Sequence, residues 1–350
     1  MFSKSTTNKS KKRRLRGWER LSRDELLQTR ICDLGLKLKG SPLEQCIKQL
    51  HRELEKRGFA FRPHFWLSDE WYSPDGVPGV AIPFFLAHPR LRRLEQYFLL
   101  EVDGGTRNMC MKLLRHETGH ALLNAYHLHK RKDWRTYFGN PNSRYPDTYL
   151  PKPYSKRFVL HLPNWYAQAH PHEDWAETFA VWLQPNSDWR TRYHGWPALK
   201  KLEFVHELMA EIKNKSPRLT NKKEIYPVEK IRMTLGEYYE RKLDRYGADS
   251  PEFFNLDLRK LFSDAPEHGH NEKASTYIKR VRTEIIEIVE RWTGEYKYRI
   301  NEVLVEMIQR CDALKLRVTG KDDVMKPEFA ACLTMLVMNK LHSGGFHISL

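Results

Sequence analysis

The chain has 350 residues, of which 40% are hydrophobic and 12% aromatic, enough to build a substantial core in one or two domains. Lysine and arginine outnumber aspartate and glutamate by 60 to 44, which gives a formal net charge of +16. No apolar run approaches the roughly 18 residues of a membrane span, and no secretory signal is recognisable. The five cysteines are scattered and form no Cys-x-x-Cys pair. We therefore expect a cytoplasmic protein with reduced cysteines and no membrane partner.

The N-terminal segment 1–16 contains seven lysine and arginine residues and no acidic residue. This composition predicts a basic disordered tail. Weak contact with nucleic acid is one interpretation of the tail, and a solvated tail without a specific partner is the other. The rest of the chain has no recognisable nucleic-acid-binding fold.

Residues 17–58 predict helices, and residues 60–102 predict a small sheet. The apolar run 80–86 predicts a strand, and Pro83 indicates that this strand lies at an edge. Such an edge either pairs with an extended peptide or is covered by a loop of the same chain. The run 97–102 predicts a further strand before the first motif.

The first motif, residues 116–120, reads His-Glu-Thr-Gly-His and follows the turn Asp-Gly-Gly at 103–105. We expect Thr106 to cap the N-terminus of a helix that carries the motif. On a helix, His116 and His120 project from one face with β-carbons about 6 Å apart, so both imidazoles can bind one Zn²⁺. Glu117 lies at the margin of that face, where a carboxylate can act on a metal-bound water. The alternative is an ordinary amphipathic helix that happens to contain two histidines.

The second motif follows a connection, residues 128–170, that is rich in Tyr, Pro and Asn and predicts a loop bordering a cleft. Pro171 predicts the start of a helix, on which Glu173 and Glu177 lie one turn apart. A catalytic zinc needs a third protein ligand, and Glu173 is the preferred candidate. Glu177 would then accept the second ring N–H of a ligand histidine. The open alternatives for the third ligand are His170, His172 and Asp174.

These motif residues resemble the gluzincin-type zinc metallopeptidases, in which two histidines, a base and a later glutamate form the site. The segment 173–177, Glu-Asp-Trp-Ala-Glu, is similar to the corresponding helix of anthrax lethal factor-like peptidases. The chain also resembles a bacterial family of putative zinc-binding metallopeptidases, over about residues 18–209. The resemblance implies a zincin-like domain. It also implies that Tyr166, seven residues before Glu173, hydrogen-bonds the transition-state oxyanion.

The remaining residues predict a helical addition. The stretch 211–226 is polar and basic, and apolar residues beyond it recur at helical spacings. The predicted fold class is α+β, with a small mixed sheet and motif helices in a zincin-like domain and a mainly α-helical C-terminal region. The predicted units are the tail, the metallopeptidase domain, a linker and the helical region, at residues 1–16, 17–210, 211–226 and 227–350.

The predicted function is a zinc-dependent peptidase or amidohydrolase that holds one Zn²⁺ per chain and acts on a peptide or protein substrate. Glu117 is the predicted general base. One alternative is a metallopeptidase that associates with nucleic acid through its basic tail. The other is a zincin-fold interaction module that binds zinc without catalysis. Ligand type alone does not select zinc over other divalent metals.

Overall fold

The computed structural model describes residues 17–99, 102–146, 148–149, 152, 155–163, 165–246, 255–342 and 348–349. The predicted tail, residues 1–16, lies outside the described residues. Across the described ranges the chain is rich in helices and contains short, two-stranded sheets, in agreement with the predicted α+β class. Within these ranges no helix combines the length and apolar composition that crossing a membrane requires.

The helices and strands follow one another in chain order. The helices are α1 (Arg23–Leu27), α2 (Leu43–Lys56), α3 (Pro89–Leu99), α4 (Arg107–Tyr126), α5 (Lys132–Phe138), α6 (Pro171–Leu183), α7 (Trp189–Arg192), α8 (Ala198–Ile212), α9 (Leu235–Tyr246), α10 (Asn255–Leu261), α11 (Ala274–Thr293), α12 (Lys297–Ala313) and α13 (Asp322–His342). The strands are β1 (His64–Ser68), β2 (Gly79–Pro83), β3 (Thr148–Tyr149), β4 (Phe262–Ser263), β5 (Arg317–Val318) and β6 (Ile348–Ser349). Strand β1 pairs with β2 in parallel, whereas β3 pairs with β6 and β4 with β5 in antiparallel fashion.

The predicted edge strand at 80–86 corresponds to β2, which is shorter than expected because residues 84–87 form a 3₁₀ turn. The edge of β2 that does not face β1 is covered at one point by the preceding loop. There the Ala81 N–H donates to the Tyr72 carbonyl at 2.8 Å. Of the two interpretations of this edge, cover by the chain's own loop is the one observed at Ala81.

The predicted strand at 97–102 is wrong over residues 97–99, which complete helix α3, whereas residues 100 and 101 lie outside the described residues. This helix buries Leu91, Leu94 and Leu99, which lie three and five residues apart along the helix. A short apolar run does not by itself distinguish a strand from the buried end of a helix. Packing of the preceding leucines on one helical face decided between the two.

Two large hydrophobic clusters account for most of the buried side chains. The larger extends from Trp18 to Tyr239 and surrounds α4 and α6, and the smaller extends from Leu258 to Val337. Part of the segment 211–226 lies against β1, where Trp66 Nε1 donates to the carbonyl of residue 225 at 2.9 Å. The domain boundaries given in the sequence analysis stay a prediction.

Candidate metal centre

Helix α4 carries the first motif and is buried along most of its length. Thr106 caps the helix as expected, because its Oγ1 accepts the Met109 N–H at 3.2 Å. At the other end, His127 adopts the left-handed region with φ at 54° and ends the helix. His116 and His120 therefore lie one turn apart, in the interior of a helix that is fixed at both ends.

Helix α6 carries the second motif and begins at Pro171, which has no N–H to satisfy in the first turn. His170 caps this helix, because its Nδ1 accepts the His172 N–H at 3.2 Å. Glu173 and Asp174 follow in the first turn, where the helix dipole favours negative charge. The local sequence thus places an acidic turn at the end of α6 that meets α4.

The two helices approach closely at a glycine of the first motif. A Cβ added to Gly119 would lie 2.9 Å from the Ala176 Cα, so only glycine allows this separation. The adjacent Trp175 donates its indole N–H to the Gly119 carbonyl at 2.8 Å. Close packing at this point brings the two motifs face to face.

Three side-chain atoms converge where α4 and α6 meet. Glu173 Oε2 lies 2.9 Å from His116 Nε2 and 3.2 Å from His120 Nε2. The two Nε2 atoms are 3.1 Å apart. Ligand atoms about 2.0–2.1 Å from a tetrahedral Zn²⁺ are about 3.3 Å from one another. The spacing of the three atoms therefore suits one small divalent cation.

The hydrogen-bonding roles of these atoms also fit a cation. His116 Nδ1 lies 2.8 Å from Glu177 Oε1, and a carboxylate only accepts, so Nδ1 carries a proton. In the neutral imidazole, His116 Nε2 then directs a lone pair at the Glu173 carboxylate. Acceptors that face each other in a buried site need a shared positive charge. The donor set thus fits a metal such as Zn²⁺.

Without a metal, a proton supplies that charge. Burial disfavours the charged form of His116, but Glu173 and Glu177 outweigh burial and raise the pKa of His116 well above its ordinary value. Burial likewise opposes ionisation of Glu173, but the two histidines hold the pKa of its carboxyl well below the usual range. A metal that binds here must therefore displace a proton.

Glu177 lies in the interior behind His116 and has two hydrogen-bond partners. Its Oε1 accepts from His116 Nδ1, and its Oε2 accepts the Leu162 N–H at 2.9 Å. Both oxygens are thereby held, and the ring orientation of His116 is fixed. Glu177 thus contacts the second ring nitrogen of His116, and its role in supporting a metal ligand stays a prediction.

Glu117 is buried beside the three converging atoms, with 7% of its surface exposed. Burial raises the pKa of its carboxyl, against the opposing effect of His116 and His120. In the described part of the chain no hydrogen bond engages the Glu117 side chain. A buried carboxylate with a raised pKa and no local partner suits a general base.

Two tyrosines lie beside the centre, and the sequence predicted one of them. The ring of Tyr166 is 5.5 Å from the ring of His116, and burial raises the pKa of its hydroxyl well above the ordinary range. The second is Tyr145, whose hydroxyl donates to Glu173 Oε1 at 2.8 Å. Sequence reasoning missed Tyr145, because it lies in the irregular connection 28 residues before Glu173.

The alternative third ligands lie outside the converging set. His170 uses Nδ1 for the helix cap, and its Nε2 lies 3.0 Å from the Ser143 carbonyl. His172 packs on the Trp134 ring, with centroids 5.9 Å apart. Asp174 faces α8 and pairs with Lys201 at 2.5 Å. In the described ranges, the group suited to hold a metal is His116, His120 and Glu173.

Comparison with known proteins supports the same interpretation of this region. Residues 106–195 match the model of a family described as "Putative zinc-binding metallo-peptidase". The matched segment contains both motifs and spans about a quarter of the chain. This confirms the predicted resemblance to that family. No curated protein and no solved structure matches the chain.

Proposed function

We propose that this chain is a zinc-dependent peptidase or amidohydrolase with a zincin-like catalytic domain of the gluzincin type. The observation that supports it most strongly is the convergence of His116, His120 and Glu173 beside a buried Glu117. The family match over residues 106–195 supports the same class of protein. The similarity of segment 173–177 to anthrax lethal factor-like peptidases is part of this proposal.

His116, His120 and Glu173 would hold one zinc ion, and Glu177 would fix the tautomer of His116. When bound, zinc lowers the pKa of a water molecule and polarises the scissile carbonyl. His116, His120 and Glu173 would thus supply three protein ligands, the number that catalytic zinc sites commonly use.

In this mechanism Glu117 accepts a proton from the attacking water and delivers it to the leaving nitrogen. Burial, which raises the pKa of Glu117, makes its carboxylate a stronger base than an exposed glutamate. Tyr166 donates a hydrogen bond to the oxyanion that develops on the substrate. Its raised pKa keeps the hydroxyl protonated, as a donor must be.

The test is a pair of measurements on wild type and Glu117→Gln, namely zinc content by elemental analysis and hydrolysis of a mixed peptide library followed by mass spectrometry. We expect about one zinc in both proteins, and a loss of at least 100-fold in rate for Glu117→Gln. Glu207→Gln, an exposed change on α8, serves as the control and should keep both zinc and activity.

Equal hydrolysis by wild type and Glu117→Gln would refute the mechanism. Zinc binding without any hydrolysis by the wild type would favour the alternative of a zincin-fold module that binds zinc without catalysis. If the wild type contains no zinc, neither the zinc peptidase nor the non-catalytic zinc-binding module is supported.

A second proposal concerns the partner rather than the chemistry. The seven basic residues in segment 1–16 and the net charge of +16 favour contact between the tail and nucleic acid. The test is a gel-shift titration with double-stranded DNA at low salt, on the full chain and on a chain lacking residues 1–16. Salt-dependent binding that is lost with the tail would support this partner, and no shift for the full chain would exclude it.

A further inference from the structure

The two carboxylate oxygens of Glu173 have separate partners. Its Oε2 faces the Nε2 atoms of His116 and His120. Its Oε1 accepts a hydrogen bond from the Tyr145 hydroxyl at 2.8 Å. A carboxylate has no proton to offer, so the phenol must be the donor. One oxygen of Glu173 thus faces the two histidines, and the other is held by Tyr145.

The loop that bears Tyr145 is attached to the first turn of α6 through His170. The rings of Tyr145 and His170 are stacked, with centroids 3.7 Å apart and planes 21° apart. His170 is buried, and its Nε2 lies 3.0 Å from the Ser143 carbonyl, to which it donates. Its other nitrogen caps α6. Both ring nitrogens and one ring face of His170 thus hold the loop against the turn that carries Glu173.

We propose that Tyr145 is a positioning residue that orients the Glu173 carboxylate, and that His170 acts through Tyr145 by holding it in place. This inference rests on the proposed function, because it concerns the same metal centre. The terminal torsion of a glutamate side chain is broad and soft, so an unrestrained Glu173 would present either oxygen, or both. A hydrogen bond to one oxygen removes that freedom and leaves the other oxygen directed at the histidines.

The first test compares Tyr145→Phe with Tyr137→Phe, each of which removes one hydroxyl. Tyr137 lies in α5 and stacks on Phe204 at 4.4 Å, and no contact with Glu173 is found in the described residues. Zinc affinity is measured by competition with a chromophoric chelator. We expect Tyr145→Phe to bind zinc about 10–100-fold more weakly than wild type, as for loss of other outer-shell partners. Tyr137→Phe should bind as wild type does.

A second readout separates positioning from a general structural role. The visible absorption spectrum of the Co²⁺-loaded chain reports the number and arrangement of the metal ligands. Tyr145→Phe should change that spectrum, and Tyr137→Phe should not. Thermal unfolding of the metal-free wild type and Tyr145→Phe measures the stability lost with the hydrogen bond to Glu173, separately from the change in the Co²⁺ spectrum.

The role of His170 is tested with His170→Asn. Asparagine retains a good helix cap, but it removes the ring that stacks on Tyr145 and the bond to Ser143. Because His170 acts through Tyr145, the double variant with Tyr145→Phe should bind zinc no more weakly than Tyr145→Phe alone. If the losses in zinc affinity of the two single variants simply add in the double variant, His170 does not act through Tyr145.

The outcomes distinguish this inference from the proposed function. If wild type binds zinc and Tyr145→Phe keeps the wild-type affinity and Co²⁺ spectrum, the positioning role is refuted and the metal centre stands. If wild type binds no zinc, both the metal centre and the positioning role are refuted.

Discussion

Gly119 on α4 lies against Ala176 on α6, with no space for a side chain between them. A Cβ at residue 119 would lie 2.9 Å from the Ala176 Cα and 3.2 Å from a ring carbon of Phe179. Both neighbours are buried, and the nearest is backbone, so neither yields easily. The separation of the two motif helices, and with it the convergence of the candidate ligands, depends on this contact.

Gly119→Ala should therefore destabilise the protein, although Gly→Ala in a helix interior usually stabilises by about 0.5–1 kcal/mol. Overpacking at the α4–α6 contact should cost about 1–3 kcal/mol and weaken zinc binding as the helices separate. Denaturant unfolding and chelator competition measure the two effects. Gly320→Ala is the control, because its Cβ would meet the Met325 side chain at an ordinary 3.6 Å. A Gly119→Ala protein as stable as wild type would contradict the packing argument.

A buried ion pair connects α4 to α2. Arg115 donates to both oxygens of Glu53, at 2.8 and 2.9 Å, and both side chains are buried. Glu53→Gln would leave the Arg115 charge uncompensated, at a cost of about 3–5 kcal/mol in the free energy of unfolding.

The matched control for Glu53 is Glu203, which forms the same two-point contact with Arg190 at the surface. Glu203→Gln should change the free energy of unfolding by no more than about 1 kcal/mol, because solvent screens the pair. Denaturant unfolding of both variants gives the comparison. If the two variants lose similar amounts of unfolding free energy, burial does not increase the contribution of the Arg115–Glu53 pair to stability.

Glu177→Gln should weaken zinc binding about 10–100-fold. Glutamine offers one acceptor oxygen in place of two, so either His116 Nδ1 or the Leu162 N–H loses its partner. Chelator competition measures the affinity, with Glu207→Gln as the control. Affinity within twofold of wild type would contradict the role assigned to Glu177.

His161, which is not one of the candidate metal ligands, should make the stability of the protein depend on pH. The side chain is buried, and its Nε2 is 3.0 Å from the Lys112 carbonyl oxygen. Burial lowers the pKa of His161 to about 4. The unfolded chain, with a His pKa near 6.5, binds the proton first as the pH falls. The free energy of unfolding should therefore fall between pH 6.5 and 4, by up to about 3 kcal/mol from this residue.

The measurement for His161 is chemical unfolding of the metal-free protein at several pH values. His161→Gln retains an N–H donor for the Lys112 carbonyl but has no group that titrates in this range. The variant should lose less stability than wild type between pH 6.5 and 4. Parallel curves for the two proteins would show that His161 does not contribute to acid destabilisation.

The two motif helices were predictable because their signals are local. Thr106 and Pro171 mark the helix starts, and the observed helices cover residues 107–126 and 171–183. A spacing of four residues places two histidines on one helical face whatever the rest of the chain does. The strand predicted at 97–102 failed for the opposite reason, because a short apolar run carries no period that separates helix from strand.

Two contacts of the candidate site, those of Tyr145 and of the Leu162 N–H, could not be predicted from any pattern in the sequence. The Tyr145–Glu173 contact depends on how an irregular connection folds back onto α6, and irregular segments have no periodicity. The Leu162 N–H that holds Glu177 is a backbone group, which every residue except proline possesses.

The sequence by itself determined the chemistry of the site: a histidine pair and a candidate base on one helix, and an acidic, histidine-containing turn at the start of another. Only the tertiary structure decided which residue of that turn faces the histidines. Successive side chains on a helix point about 100° apart, so His172, Glu173 and Asp174 face different directions, and His170 precedes the helix as its cap. The contact between Gly119 and Ala176 sets the position of α6 against α4, and with it directs Glu173 at His116 and His120.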